Sequence, residues 1–463
     1  MKHYITHPNE PEKDYQFWIW LLACLAMDQL LSNTPLPPTF CLYPWTQLAT
    51  SATGRIRLCC HTPTLRDSSG SEVTLCNKGE IEATWNGEAM RAVRRSILNG
   101  QLPDLCRRCK LQEKQGLESR RLKTLRTRPP WTSDVEARVQ STHKTGYLPF
   151  PPASYDLRLG NVCNLKCVMC RPQLSTHWIP DAKAMVEMDR LPKSAKEHLQ
   201  YSKQVNQTDY RWYESSDLVN YLHKNVQSIR QLYFAGGEPL LARQHWLILE
   251  SCVAHGVAKS VDLTYDTNGT MINQECLQLW EQFNSLDLRI SLDDLGEKLE
   301  YIRDGISFTK FLDLMSLLEN WDYPRVEIRL LVTIQILNAL DLVEICDWFW
   351  NQKWVQSRGD QVSIVWSFLE WPKSLSVGLL PEKTKIHIID KVDKAMKTAK
   401  ADHYDTPYYR SLCRLNSILP YAFSLWADED SSMGEFFDFV SCLDQTRGHS
   451  WKHIFPELEE LIE

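Results

Sequence analysis

The sequence predicts an α/β chain built as a partial (βα)6 barrel of TIM type with a small cysteine-rich module attached. Two observations carry this expectation. From about residue 154 onward, six short strand-like runs alternate with segments of helical periodicity, the pattern of parallel βα units. Six strands fall short of the eight that close a full barrel. Ahead of the first run, six cysteines crowd into residues 38–120, outside the strand–helix alternation.

Taken in order, residues 1–37 form an amino-terminal helical extension. Its apolar stretch, "FWIWLLACLAM" from Phe17 to Met27, is too short to span a bilayer. Glu10, Glu12 and Asp14 outnumber Lys13 before it, and "DQLLSN" after it is a poor cleavage site. A docking helix is expected there, not a membrane span or a signal peptide. Residues 38–120 carry the cysteines, Gly turns and a helical patch, "IEATWNGEAMRAVRRSILNG". Residues 121–152 are polar, basic and proline-rich, and read as a linker. The basic cluster at its start (Arg120, Arg121, Lys123, Arg126, Arg128) is expected to be a solvated face.

The barrel occupies residues 153–375. Its strands are "SYDLRL", "QLYFAG", "VDLTYD", "LDLRISL", "VEIRLLVTI" and "VSIVWSFL". Between them lie "ARQHWLILESCVAHG", "NQECLQLWEQF", "FTKFLDLMSLLENW" and "LDLVEICDWFWNQ", with apolar residues at helical spacing. The longest gap, between the first two strands, holds an insertion at roughly 175–229. Residues 376–463 are expected to be a helical segment packing on the barrel, including the tail with Arg447, His449 and Trp451.

The whole chain of 463 residues is 43% hydrophobic and 24% charged, enough apolar residue for a sizeable core. A formal charge of −6 gives no reason to expect nucleic-acid affinity. Fifteen cysteines in tight groups, not spread as a disulfide framework, point to metal chemistry in a reducing cytoplasm. Cys24, Cys252, Cys276, Cys346, Cys413 and Cys442 stand alone among apolar residues and are read as core.

The chemistry lies in "LGNVCNLKCVMCRPQ", where Cys163, Cys167 and Cys170 follow the first strand. In parallel α/β folds ligands sit at the carboxyl ends of strands, which is where this loop emerges. Thiolates are the preferred ligands of iron–sulfur clusters. Three of them on a cubane leave one iron open to chelate an amine and a carboxylate. A structural zinc site completed from afar is the alternative.

CxxxCxxC at this place resembles the signature of the radical S-adenosylmethionine superfamily, over roughly residues 154 to 370. Further motifs follow in the family's order: Gly236, Gly237, Glu238 and Pro239 in "FAGGEP", Asn268 and Gly269 in "YDTNG", Ser291 and Asp293 in "RISLDD", and Arg303 in "YIRDG". The resemblance implies a catalytic [4Fe-4S] cluster on Cys163, Cys167 and Cys170 whose open iron binds S-adenosylmethionine. It implies reductive cleavage to a 5′-deoxyadenosyl radical that abstracts hydrogen from a substrate. It places Glu238 near the methionine amine, Ser291 and Asp293 near the ribose and Arg303 near the cofactor carboxylate. Met169 stands where the family commonly has an aromatic residue, and a thioether can pack on adenine. The glycine-rich pattern some members carry on the fifth strand is absent from "VEIRLLVTIQILN".

In the amino-terminal module, Cys41, Cys59, Cys106 and Cys109 could close a second cubane completely, or hold zinc, with Cys60 and Cys76 as rival ligands. The pattern resembles the SPASM and twitch auxiliary-cluster modules, although those usually follow the barrel. The function expected from these resemblances is a radical SAM enzyme modifying a peptide. The alternatives are radical tailoring of a small molecule and a non-catalytic iron–sulfur or zinc protein. An electron donor such as flavodoxin or ferredoxin would be a partner; nucleic acid and membrane are not expected.

Overall fold

The computed structural model describes residues 36–75, 81–114, 118–127, 134–200, 207–402, 406–426 and 433–461. The expected docking helix at 17–27, Cys24, Cys76 and Arg128 lie outside the described residues. Eight strands are described: β1 (Gln47–Thr50), β2 (Ile56–Arg57), β3 (Ser154–Arg158), β4 (Gln231–Ala235), β5 (Asp262–Thr267), β6 (Ser285–Ser291), β7 (Val326–Ile334) and β8 (Val362–Phe368). They form one sheet in the order β2-β1-β3-β4-β5-β6-β7-β8. The six runs read from the sequence are β3 to β8, within one residue at either end. β1 and β2 are additions that the sequence reading did not place.

The described chain divides into two compact units. The first holds the residues up to Leu157 together with Ser215–Leu232. There β1 runs parallel to β3, pairing Gln47 with Ser154 and Ala49 with Asp156, and antiparallel to β2. The helix Glu88–Leu98 buries Met90, Val93, Arg94 and Ile97, one face at helical spacing. Arg94 is fully buried and donates to the carbonyls of Pro44, Trp85 and Gly146 at 2.8–3.1 Å, with its guanidinium 4.4 Å above the Trp85 ring.

The segment expected as a linker carries two helices, Arg120–Thr127 and Val135–Gln140. Arg121 and Arg138 are buried there, because each satisfies backbone carbonyls and a carboxylate. Arg121 donates to Pro38 O and Phe40 O and pairs with Glu113 at 2.6 Å. Arg138 donates to Pro151 O and pairs with Asp134 at 2.6 Å. Of the basic cluster expected to be solvated, Arg121 is therefore buried, while Lys123 and Arg126 are exposed as expected.

The second unit holds residues 158–214 and, as far as they are described, 233–463. β5, β6, β7 and β8 pair in parallel. β6 and β7 alternate buried with less buried residues, the period of two expected when the two faces of a strand meet different surroundings. Helices Arg243–Ala254, Gln274–Trp280, Phe308–Glu319 and Leu342–Trp350 fill the intervals, as their periodicity predicts. Phe234 stacks on Tyr265 in the core with centroids 5.4 Å apart, and the Trp280 ring lies tilted against Tyr265 at 5.1 Å. Among the lone cysteines, Cys252, Cys276, Cys346 and Cys442 are buried and Cys413 is half-buried. Among the described residues no helix is long and apolar enough to cross a membrane.

Candidate active site

The loop that leaves β3 is fixed before it reaches the first thiol. Buried Asn161 donates from Nδ2 to Pro172 O at 2.8 Å and accepts from Thr176 N at 2.9 Å, tying the two ends of the loop together. Lys166 N donates to Asp304 O and Val168 N to Ile302 O at 2.9 and 2.7 Å, a short stretch of strand-like pairing. Trp178, fully buried, donates from Nε1 to Cys167 O at 2.7 Å. His198 Nε2 lies 3.2 Å from Cys170 O.

Cys163, Cys167 and Cys170 are each half-buried and close enough to one another to interact. Burial pushes all three thiols up, Cys163 to about 12, while the Arg303 cation pulls on Cys163 and Cys167 in the other direction. Two nitrogen donors point at the sulfurs: Arg303 Nη1 lies 3.7 Å from Cys167 Sγ and Asn268 Nδ2 lies 3.9 Å from Cys163 Sγ. Metal coordination would hold these thiols deprotonated despite the burial.

The loop after β4 packs on the cysteine loop. Glu238 N donates to Val162 O at 2.8 Å. A Cβ on Gly237 would lie 2.2 Å from Val162 O, and one on Gly236, whose φ is +124°, would lie 3.3 Å from Gly160 O. Glycine is required at these positions by the neighbouring backbone. Glu238 is 2% exposed, with both oxygens engaged: Oε1 accepts from Thr267 Oγ1 (2.8 Å) and Leu240 N (3.2 Å), and Oε2 from Asn268 N (2.8 Å). Burial raises its carboxyl to about 7. Asn268 in turn donates from Nδ2 to Asn164 Oδ1 at 2.9 Å. Pro239 and Gly269 are buried, and Met169 and Ser291 half-buried. Asp293, fully buried, accepts from Thr333 N at 2.8 Å and pairs with Arg303 at 2.8 Å. The structure thus gathers Cys163, Cys167, Gly236, Gly237, Glu238, Asn268, Asp293 and Arg303 into one connected network.

Sequence reasoning had left Arg447 to packing. It is buried, 2.7 Å from Asp181 and 3.5 Å from Asp304, with its guanidinium 4.6 Å from the Trp178 ring. It therefore stiffens the tryptophan that holds Cys167. No local signal in the sequence links residues 447 and 178.

In the first unit, Cys41, Cys59, Cys106 and Cys109 line one pocket with Tyr43, Arg120 and Arg121. Cys59, and not Cys60, faces it. Burial raises Cys59 to about 11 and Cys106 to about 12, and neighbouring thiols add to both shifts. Among the described residues no three His, Cys, Asp or Glu converge as ligands of a single metal ion.

Comparison with known proteins gives two family matches: residues 157–348 match the radical SAM superfamily, and residues 41–110 match SPASM, an iron–sulfur cluster-binding domain. No curated protein matches. Among solved structures, the chain is similar to Streptococcus suis SuiB (12% identity, 66% of this chain, 61% of that chain, TM-score 0.32). It is also similar to native anSMEcpe with bound AdoMet and Kp18Cys peptide (15% identity, 56% of this chain, 62% of that chain, TM-score 0.33). The chain spans less than two thirds of the length of either, and the assignment rests on the two family matches. Residues 157–348 thus match a radical SAM domain and residues 41–110, ahead of it, a SPASM domain, and these two matches imply a [4Fe-4S] cluster with S-adenosylmethionine and an auxiliary iron–sulfur cluster as cofactors.

Proposed function

We propose that Cys163, Cys167 and Cys170 hold the catalytic cluster, that S-adenosylmethionine is cleaved reductively beside them, and that the substrate is a peptide. The observation that carries the reading is the set of three thiols on one braced loop, two of whose sulfurs, those of Cys167 and Cys163, face nitrogen donors from Arg303 and Asn268. When bound, the cluster and S-adenosylmethionine together supply a hydrogen-abstracting radical. The residues do the rest. Arg303, held by Asp293, sets a positive charge beside Cys167. Glu238 joins the loop after β4 to Asn268, so the cysteine loop is gripped from two strands. Cofactor contacts are proposed for Met169, Gly236, Gly237, Glu238, Pro239, Asn268, Ser291, Asp293 and Arg303. The auxiliary cluster is proposed on Cys41, Cys59, Cys106 and Cys109.

The peptide substrate is supported by the pairing of a SPASM domain with a radical SAM domain. A second reading, a small-molecule substrate, is favoured by a cavity of about 520 Å³ lined by Asn164, Asn268, Gly269, Thr270 and Lys310 among others. That volume is within the range of small-molecule sites. The test is anaerobic turnover of the reduced, iron-loaded chain. 5′-Deoxyadenosine should form, and Cys163→Ala should abolish it. Deuterium moving from a labelled peptide into 5′-deoxyadenosine would support the peptide; transfer from labelled amino or sugar alcohols alone would move the assignment to the small molecule. No 5′-deoxyadenosine at full iron loading would refute the cleavage.

A further inference from the structure

The four-thiol pocket has two cationic walls that the cysteine pattern does not announce. Arg120 and Arg121, consecutive in the helix Arg120–Thr127, both line it. Arg121 is buried and spends Nη1 on Pro38 O and Phe40 O and Nη2 on Glu113. Arg120 lies with its guanidinium 5.4 Å from the centre of the Tyr43 ring, beside Cys59 and Cys60, with Asp156 as the nearby acid. In both arginines Nε is buried and has no hydrogen-bond partner. A buried N–H left unpaired costs about 1–3 kcal/mol. Two in succession, on the wall of a pocket lined by four thiols, call for an acceptor inside it.

Resting on the assignment of the auxiliary cluster to Cys41, Cys59, Cys106 and Cys109, we infer that Arg120 and Arg121 are the positioning residues of that cluster. They direct N–H donors and positive charge at its sulfurs and bias it toward its reduced form. The physical basis is general. Reduction adds negative charge, so N–H donors and cations next to the sulfurs favour the reduced state and raise the potential. Glu113 and Asp156 offset part of the charge, and removing either arginine leaves its acid uncompensated, which pushes the potential the same way, downward.

The test uses the full-length chain with Cys163, Cys167 and Cys170 all changed to Ala, so that only the auxiliary cluster remains, and reads its midpoint by anaerobic redox titration followed by electron paramagnetic resonance. This parent should retain about four irons; none would overturn the cluster assignment itself, and this inference with it. Arg120→Met at unchanged iron should lower the reduction equilibrium constant at least tenfold, ~59 mV for one electron. Arg120→Lys, which keeps the charge and loses Nε–H, should shift it less in the same direction. An unmoved midpoint in Arg120→Met would overturn the inference. If Arg120→Met or Arg121→Met loses its iron, the Arg120→Lys and Arg121→Lys chains decide: a downward shift supports it and an unmoved midpoint overturns it.

Discussion

Gly237→Ala is the sharpest test of how the active site is held together. The φ of Gly237 is not in the left-handed region, so alanine is conformationally permitted and the whole effect must come from contact. The added Cβ would meet Val162 O at 2.2 Å, Val162 C at 2.8 Å and Asn161 C at 2.9 Å, all backbone. The two loops would have to part by about 1 Å to reach ordinary van der Waals distance. Overpacking of this kind costs about 1–3 kcal/mol, and loss of the Glu238 N to Val162 O bond about 1 more. Val162 is the residue before Cys163, so the displacement falls on the first thiol. A misplacement of that size is expected to slow 5′-deoxyadenosine formation about 100-fold. The assay pairs that rate with urea melts and iron content. Gly70→Ala is the control: its φ is +84° with nothing within 4 Å, so it should cost about 1 kcal/mol of backbone strain and leave the rate alone. Wild-type rate and stability in Gly237→Ala would refute the claim that this backbone contact positions Cys163.

Two further outcomes are expected. Glu238 has its carboxyl raised by burial from 4.5 to about 7, so the folded chain keeps a proton that the unfolded chain releases. The stability it contributes is fully present below pH 4.5 and lost as pH rises to about 7, on the order of 3 kcal/mol. Urea melts of the metal-free chain at pH 5 and pH 8 should show a smaller loss in Glu238→Gln, and an equal loss would disprove the assignment. In the auxiliary pocket, Cys59→Ser should remove about four irons per chain and Cys60→Ser none; the reverse would exchange their roles.

The barrel strands were legible because each buried run has its own signature, from the "VEIRLLVTI" of β7 to the "SYDLRL" of β3. The cysteine loop and "GGEP" were legible as motifs, since spacing along the chain carries that information. β1 was not. Four residues, "QLAT", all buried, show no alternation and become a strand only by pairing with Ser154–Asp156, more than a hundred positions away. Arg121 was misread for a related reason. Composition marks charged residues as solvated, and only the fold reveals that Pro38, Phe40 and Glu113 await Arg121. The glycines of "GGEP" were recognised for a pattern, but the atom that demands Gly237 is a carbonyl of Val162.

The pairing of β1 with β3 also bears on how such a chain can be taken apart. A cut made ahead of Ser154, intended to free a minimal catalytic portion, would strip the first barrel strand of a hydrogen-bonded neighbour. The bared edge would be open to pairing with other molecules. The SPASM domain is therefore no interchangeable cartridge. Engineering by domain exchange would need to carry Gln47–Thr50 along with any transplanted barrel, and preparations of the barrel alone should be judged by aggregation before they are judged by activity.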